Sequence, residues 1–110
     1  ANGCDYCASI HTAVGGRHGV VAEELSDNLE ARSADARTQA ALTFTAKVMK
    51  TRGNVTDSDM KAARDAGFSD EELIEIVGHV ALNVFTNYFN HVAGTEIDFP
   101  HVRTAGAVLA

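Results

Sequence analysis

Ser69-Asp70-Glu71-Glu72-Leu73-Ile74-Glu75-Ile76-Val77-Gly78-His79-Val80-Ala81-Leu82-Asn83-Val84-Phe85-Thr86-Asn87-Tyr88-Phe89-Asn90-His91-Val92-Ala93-Gly94 reads as one long helix. Ser69 and Glu72 have capping-box spacing, in which a hydroxyl and a carboxylate each take an orphan backbone N–H. Phe68 and Leu73 flank the box as a hydrophobic staple. Gly94 supplies the stop. Ile74, Val77, Val80, Ala81, Val84, Phe85, Tyr88, Phe89 and Val92 make the helix apolar nearly all round, so it is expected to be covered on most sides. A chain of 110 residues has little else to cover it with. A homo-oligomer, a preceding N-terminal segment, or both are therefore expected.

Working outward, the rest of the chain also reads as helix. Only one proline, Pro100, is present, and no stretch alternates apolar and polar residues as a strand would. Thr56 caps a shorter helix, with Val55 and Met60 as its staple and Gly67 at its end. Ser33 is expected to cap a helix from Ala34 to about Arg52, stopped by Gly53-Asn54, with Ala41, Leu42, Phe44, Thr45, Val48 and Met49 on its apolar face. A short helix is expected around Val20 to Asn28. The first helix is expected from about Cys4 to Val14, ended by Gly15-Gly16. From Thr95 the chain is loop-like, and Ala105 to Ala110 has the composition of a helix start. Fold class is all-α, in a single domain spanning 1–110.

The net charge of −6 argues against a nucleic-acid partner, which calls for a basic face. It also argues against an anionic membrane surface. The most apolar stretch, Leu73 to Val92, is broken by Glu75, His79, Asn83, Asn87 and Asn90, short of the roughly 20 apolar residues of a membrane span. No signal peptide is visible. With two cysteines the chain is not a secreted disulfide scaffold. A cytoplasmic protein with a working cysteine pair is expected.

Both cysteines stand in Gly3-Cys4-Asp5-Tyr6-Cys7-Ala8-Ser9-Ile10-His11. On a helix, Cys4, Cys7 and His11 share one stripe. Thiols at a helix N-terminus, with a base one turn on, suit redox chemistry, because the thiolate is the reactive form and the helix start favours negative charge. Two buried structural thiols are the plainer alternative. A zinc site would need four ligands, and Cys4, Cys7, His11 and His18 meet only if the chain folds back. A thioredoxin-type site would need a strand leading into the motif, and none is readable.

This C-x-x-C-x-x-x-H stretch resembles the signature of the AhpD-like alkylhydroperoxidases, within the carboxymuconolactone decarboxylase superfamily. The stretch from Gly78 to His91 looks like the long helix of that superfamily, and the resemblance runs roughly from Gly3 to Pro100. It implies an all-α, AhpD-like helical bundle assembling as a trimer or hexamer, and thiol-dependent reduction of hydroperoxides with no metal, haem or flavin. Cys4 and Cys7 match the redox pair and His11 the relay histidine. The family's relay glutamate belongs to a helix before the motif, a position preceding Ala1, so either an upstream segment supplies it or the relay is incomplete here. Some members carry a histidine where Tyr6 stands; Tyr6 can offer a hydroxyl to substrate or pack at the rim. Electrons are expected from a thiol partner, such as a lipoyl-bearing protein or a peroxiredoxin.

Cys4, nearest the helix start, is expected to be the more exposed and the attacking thiolate, with Cys7 resolving and His11 taking a proton from Cys7. His79, Asn83, Asn87 and His91 recur every four residues. They read either as a polar stripe lining a pocket or, more plainly, as buried polar groups with partners. His79 is the member expected to approach the cysteines. His18 and His101 read as surface histidines. Carboxymuconolactone decarboxylase activity is the enzymatic alternative, although it needs no C-x-x-C. A non-catalytic redox-sensing or interaction domain is the other.

Overall fold

A computed structural model describes residues 1–104, and the possible helix start at 105–110 lies outside them. The described residues form five helices and no strand: α1 Asp5–Arg17, α2 Ala22–Leu29, α3 Ala36–Thr51, α4 Asp57–Asp65 and α5 Asp70–Ala93. The described residues divide into two compact units, one of residues 1–30 with 83–104, the other of residues 31–82.

In the 31–82 unit, local capping sets the helix starts. Thr56 and Asp59 close a reciprocal capping box on α4. Ser69 and Glu72 do the same on α5, with the Glu72 N–H donating to Ser69 Oγ at 3.2 Å and the Ser69 N–H to Glu72 Oε1 at 3.1 Å. Glu72 also pairs with Arg37 at 2.6 Å. The Ser69 N–H, and then Arg37, hold the Glu72 carboxyl below its ordinary range. Arg37 lies over the Phe68 ring, 4.1 Å from its centroid, a cation–π contact that places the ion pair on the staple residue.

On α3 the cap is Asp35, not Ser33: Asp35 Oδ2 accepts the Thr38 N–H at 2.8 Å. Ser33 Oγ accepts the Asp35 N–H at 3.1 Å, so the serine organises the approach and the aspartate closes the helix. α3 packs on α4, and Phe44, Val48, Ala63, Phe68 and Leu73 form the core of the unit. Val55 and Met60, the staple of α4, pack against it.

In the other unit, α1 packs on α2. Gly15 and Gly16 do not end α1, which continues through them to Arg17. A Cβ on Gly15 would lie 2.6 Å from Leu25 Cδ2, so the glycine is an approach point for α2. The left-handed turn that leaves the helix falls at Gly19, with φ +88°. α2 begins at Ala22 without a side-chain cap, two residues later than expected. Gly94, with φ +60°, ends α5 as expected. After it the chain runs without regular structure to Thr104.

The α5 face is less covered than its composition suggests. In the single chain Phe85 is 68% exposed and Phe89 60%, and Tyr88 and Val92 are exposed too. No described helix is long and apolar enough to cross a membrane.

Candidate redox site

Gly3, with φ +66°, turns the chain into α1. Cys4 is the N-cap of that helix, a position usually held by an oxygen-bearing side chain. Its Sγ accepts the Cys7 N–H at 3.2 Å. The two cysteines are joined as a disulfide, with Cα atoms 5.3 Å apart. Both are nearly buried, Cys4 at 4% exposed and Cys7 at 8%. The greater exposure expected of Cys4 is therefore absent. Cys4 nonetheless lines a cavity of about 370 Å³, with Tyr6, Asn90, His91, Thr95 and Ile97 among the other walls.

The last two turns of α5 supply the polar groups around the pair. Asn90 Nδ2 donates to Cys7 Sγ at 3.4 Å. Thr95 Oγ1 donates to Asn90 Oδ1 at 2.8 Å, which fixes the amide. His91 Nε2 lies 3.3 Å from the Gly3 carbonyl oxygen, to which it donates when that nitrogen carries the proton. Asn87 is buried and accepts from Asn2 Nδ2 at 2.8 Å. Asn87 is thus a buried, partnered polar group, as the plainer reading of the stripe expects, whereas His91 is exposed and lines the cavity with Cys4.

His11 lies on α1 one turn beyond Cys7 and is exposed. Tyr6 is half-buried and meets Phe99 edge-on, with ring centroids 6.5 Å apart. His79 is an exposed residue of α5 in the 31–82 unit and is not among the cavity walls. Among the described residues no three His, Cys, Asp or Glu side chains cluster as metal ligands would.

The chain after Pro100 is tied to α1. Asp5, inside the C-x-x-C, accepts the Thr104 N–H at 2.9 Å and the Thr104 hydroxyl at 3.1 Å. His101 Nε2 stands 3.3 Å from the other Asp5 oxygen. The Thr104 backbone bond is the main cause holding the Asp5 carboxyl below its ordinary range, partial burial opposes it, and His101 adds to it. Ser9, fully buried, donates to the Asp5 carbonyl oxygen at 2.7 Å and accepts the Val102 N–H at 2.8 Å.

Asn90, Thr95, Asp5 and Ser9 are site residues that motif reasoning passes over. Asn90 had a signal, being polar in an apolar helix and three residues from Asn87. The four-residue stripe through His79 and His91 drew attention from it. His101, read as a surface histidine, is half-exposed yet engaged with Asp5.

No family model, curated protein or solved structure matches this chain.

Proposed function

We propose that the protein is an AhpD-like thiol peroxidase that cycles Cys4 and Cys7 between dithiol and disulfide. The observation that carries this reading is the Cys4–Cys7 disulfide at the start of α1, with Cys4 on the wall of an open cavity. The first sulfur is held by a backbone N–H and the second by a side-chain amide, both of which favour thiolate over thiol in the reduced protein.

In the proposed cycle the Cys4 thiolate attacks the outer oxygen of a small hydroperoxide. The O–O bond breaks, the alkoxide leaves with a proton as alcohol, and Cys4 becomes a sulfenic acid. Cys7 attacks that sulfur, the S–O bond breaks, water leaves and the disulfide forms. His11, one turn from Cys7, removes the Cys7 proton. A partner dithiol, such as a lipoyl-bearing protein, returns two electrons by disulfide exchange. A peroxiredoxin disulfide in place of the hydroperoxide would use the same pair. The chain would act in the cytoplasm as a trimer or hexamer whose further copies cover Phe85, Tyr88, Phe89 and Val92.

One observation favours a second reading. Both cysteines are almost closed to solvent, which suits a structural pair without turnover.

The test is consumption of tert-butyl hydroperoxide by the reduced protein, with free thiols counted. Loss of two thiols per chain, with turnover restored by a dithiol, is expected. Cys4→Ser should abolish consumption, and Cys7→Ser should stop after one turnover with a trappable sulfenic acid. Inert thiols in the wild type would favour the structural pair, slow thiol loss without turnover would favour a redox sensor, and Cys4→Ser at the original rate would overturn the assignment of the attacking sulfur.

A further inference from the structure

The two sulfurs of the disulfide have different donors. Cys4 Sγ is served by the Cys7 N–H, a bond internal to the first turn of α1. Cys7 Sγ is served by Asn90 Nδ2, from a residue 83 positions away. The aim of that amide is fixed from behind: the Thr95 hydroxyl donates to Asn90 Oδ1, and the Thr95 N–H donates to the Asn90 carbonyl oxygen at 3.2 Å. Neighbouring His91 is turned to Gly3, while Asn90 is turned to Cys7 Sγ.

We infer that Asn90, held by Thr95, is a positioning residue for Cys7 that stabilises the thiolate released when a dithiol opens the disulfide at Cys4. This rests on the redox reading above and extends it to the regeneration step. Of the pair, Cys4 borders the cavity and Cys7 does not. An incoming thiolate attacks Cys4 Sγ and forms a mixed disulfide. The S–S bond breaks, and its electron pair goes to Cys7 Sγ. The second thiol of the reductant, deprotonated, then attacks its own sulfur in the mixed disulfide and frees Cys4, leaving the reductant oxidised by two electrons. A leaving thiolate departs faster as it is better stabilised. A disulfide sulfur is a weak acceptor and a thiolate a strong one, so the Asn90 bond strengthens on reduction. Asn90 therefore biases the equilibrium towards the dithiol as well as speeding its formation.

The test is the redox equilibrium of the full-length protein against dithiothreitol at graded ratios, together with the ultraviolet thiolate absorbance of the reduced protein across pH. Asn90→Ala is expected to shift the equilibrium towards disulfide by about tenfold and to move the thiolate signal to higher pH. Thr95→Val, which frees the amide without removing it, is expected to shift both in the same direction by less. Asn90→Asp, with an acceptor in place of the donor, should shift them at least as far as Asn90→Ala. Folded Asn90→Ala and Thr95→Val proteins with wild-type equilibrium and titration would overturn the inference. If Asn90→Ala does not fold, the Thr95→Val result decides alone. A wild type that consumes no hydroperoxide while the variants shift as described would retire the peroxidase reading and leave this one standing. Turnover with unshifted equilibria would do the reverse.

Discussion

Asp5 accepts the backbone N–H of Thr104 at 2.9 Å across 99 positions of sequence, from inside the C-x-x-C itself. This carboxylate, with Ser9 one turn on, ties the chain after Pro100 to the helix that carries the cysteines. The tie has a pH dependence of known sign. The folded-state value of Asp5 lies below that of the unfolded chain, because the Thr104 N–H and His101 favour the charged form. Its contribution is complete above the unfolded value of about 4 and is lost as pH falls through the lower folded value. Amide hydrogen exchange at Thr104 should thus show protection that Asp5 sustains from about pH 5 upward and that fails in acid. Asp5→Asn should remove that acid step, and a protection profile unchanged by the substitution would disprove the tie.

Gly15 and Gly16 stand side by side in α1 and should respond oppositely to alanine. At Gly16 a Cβ meets nothing within 4 Å, so Gly16→Ala should stabilise by about 0.5–1 kcal/mol through helix propensity. At Gly15 the Cβ meets Leu25 Cδ2 at 2.6 Å, and overpacking of that kind costs about 1–3 kcal/mol. Leu25 can yield part of it, being the end of a side chain. Denaturant midpoints should place Gly15→Ala below Gly16→Ala, and equal midpoints would mean that the two helices do not need the close approach.

Leu73 and Ile74 are adjacent on α5, one 3% exposed and the other 72%. Leu73→Ala should cost about 2–5 kcal/mol by opening a cavity in the core with Phe44, Val48 and Phe68. Ile74→Ala should fall within about 0.5 kcal/mol of wild type in a dissociated chain. Chemical unfolding at low protein concentration separates the two.

Phe85 and Phe89, one turn apart, have ring centroids 6.5 Å from each other and stand mostly exposed. If further copies of the chain cover them, light scattering should give a mass several times that of one chain, and Phe85→Glu with Phe89→Glu should reduce it. A wild type that scatters as a monomer at working concentration would count against the proposed assembly.

The helix starts legible in the sequence are that of α1, read at about Cys4 and found with Cys4 as its N-cap, and those of the two helices with reciprocal caps. Thr56 with Asp59, and Ser69 with Glu72, close their bonds within three residues, so the pattern and the structure coincide. The α3 start was misplaced by two residues because Ser33 and Asp35 are both good caps and local pattern does not choose between them. The Gly15-Gly16 stop was misread because glycine ends helices through a left-handed backbone, whereas here Gly15 admits Leu25 and Gly19 makes the turn. At the candidate site the sequence pointed to Cys4, Cys7, His11, Tyr6 and His79, of which Cys4 and Tyr6 line the cavity. It did not point to Asn90, whose role depends on where the end of α5 lies against the start of α1.

Taken by itself, the sequence determined an all-α fold class, the starts of α1, α4 and α5, and the closeness of its two cysteines. Each of these depends on groups a few residues apart, whose separation is set by covalent geometry and helical pitch. The tertiary structure alone decided which donor meets Cys7 Sγ, that Asp5 and Ser9 anchor the chain after Pro100, and which face of α5 the single chain leaves open. Those bonds join residues 83 to 99 positions apart, and packing, not spacing, brings such residues within hydrogen-bond reach.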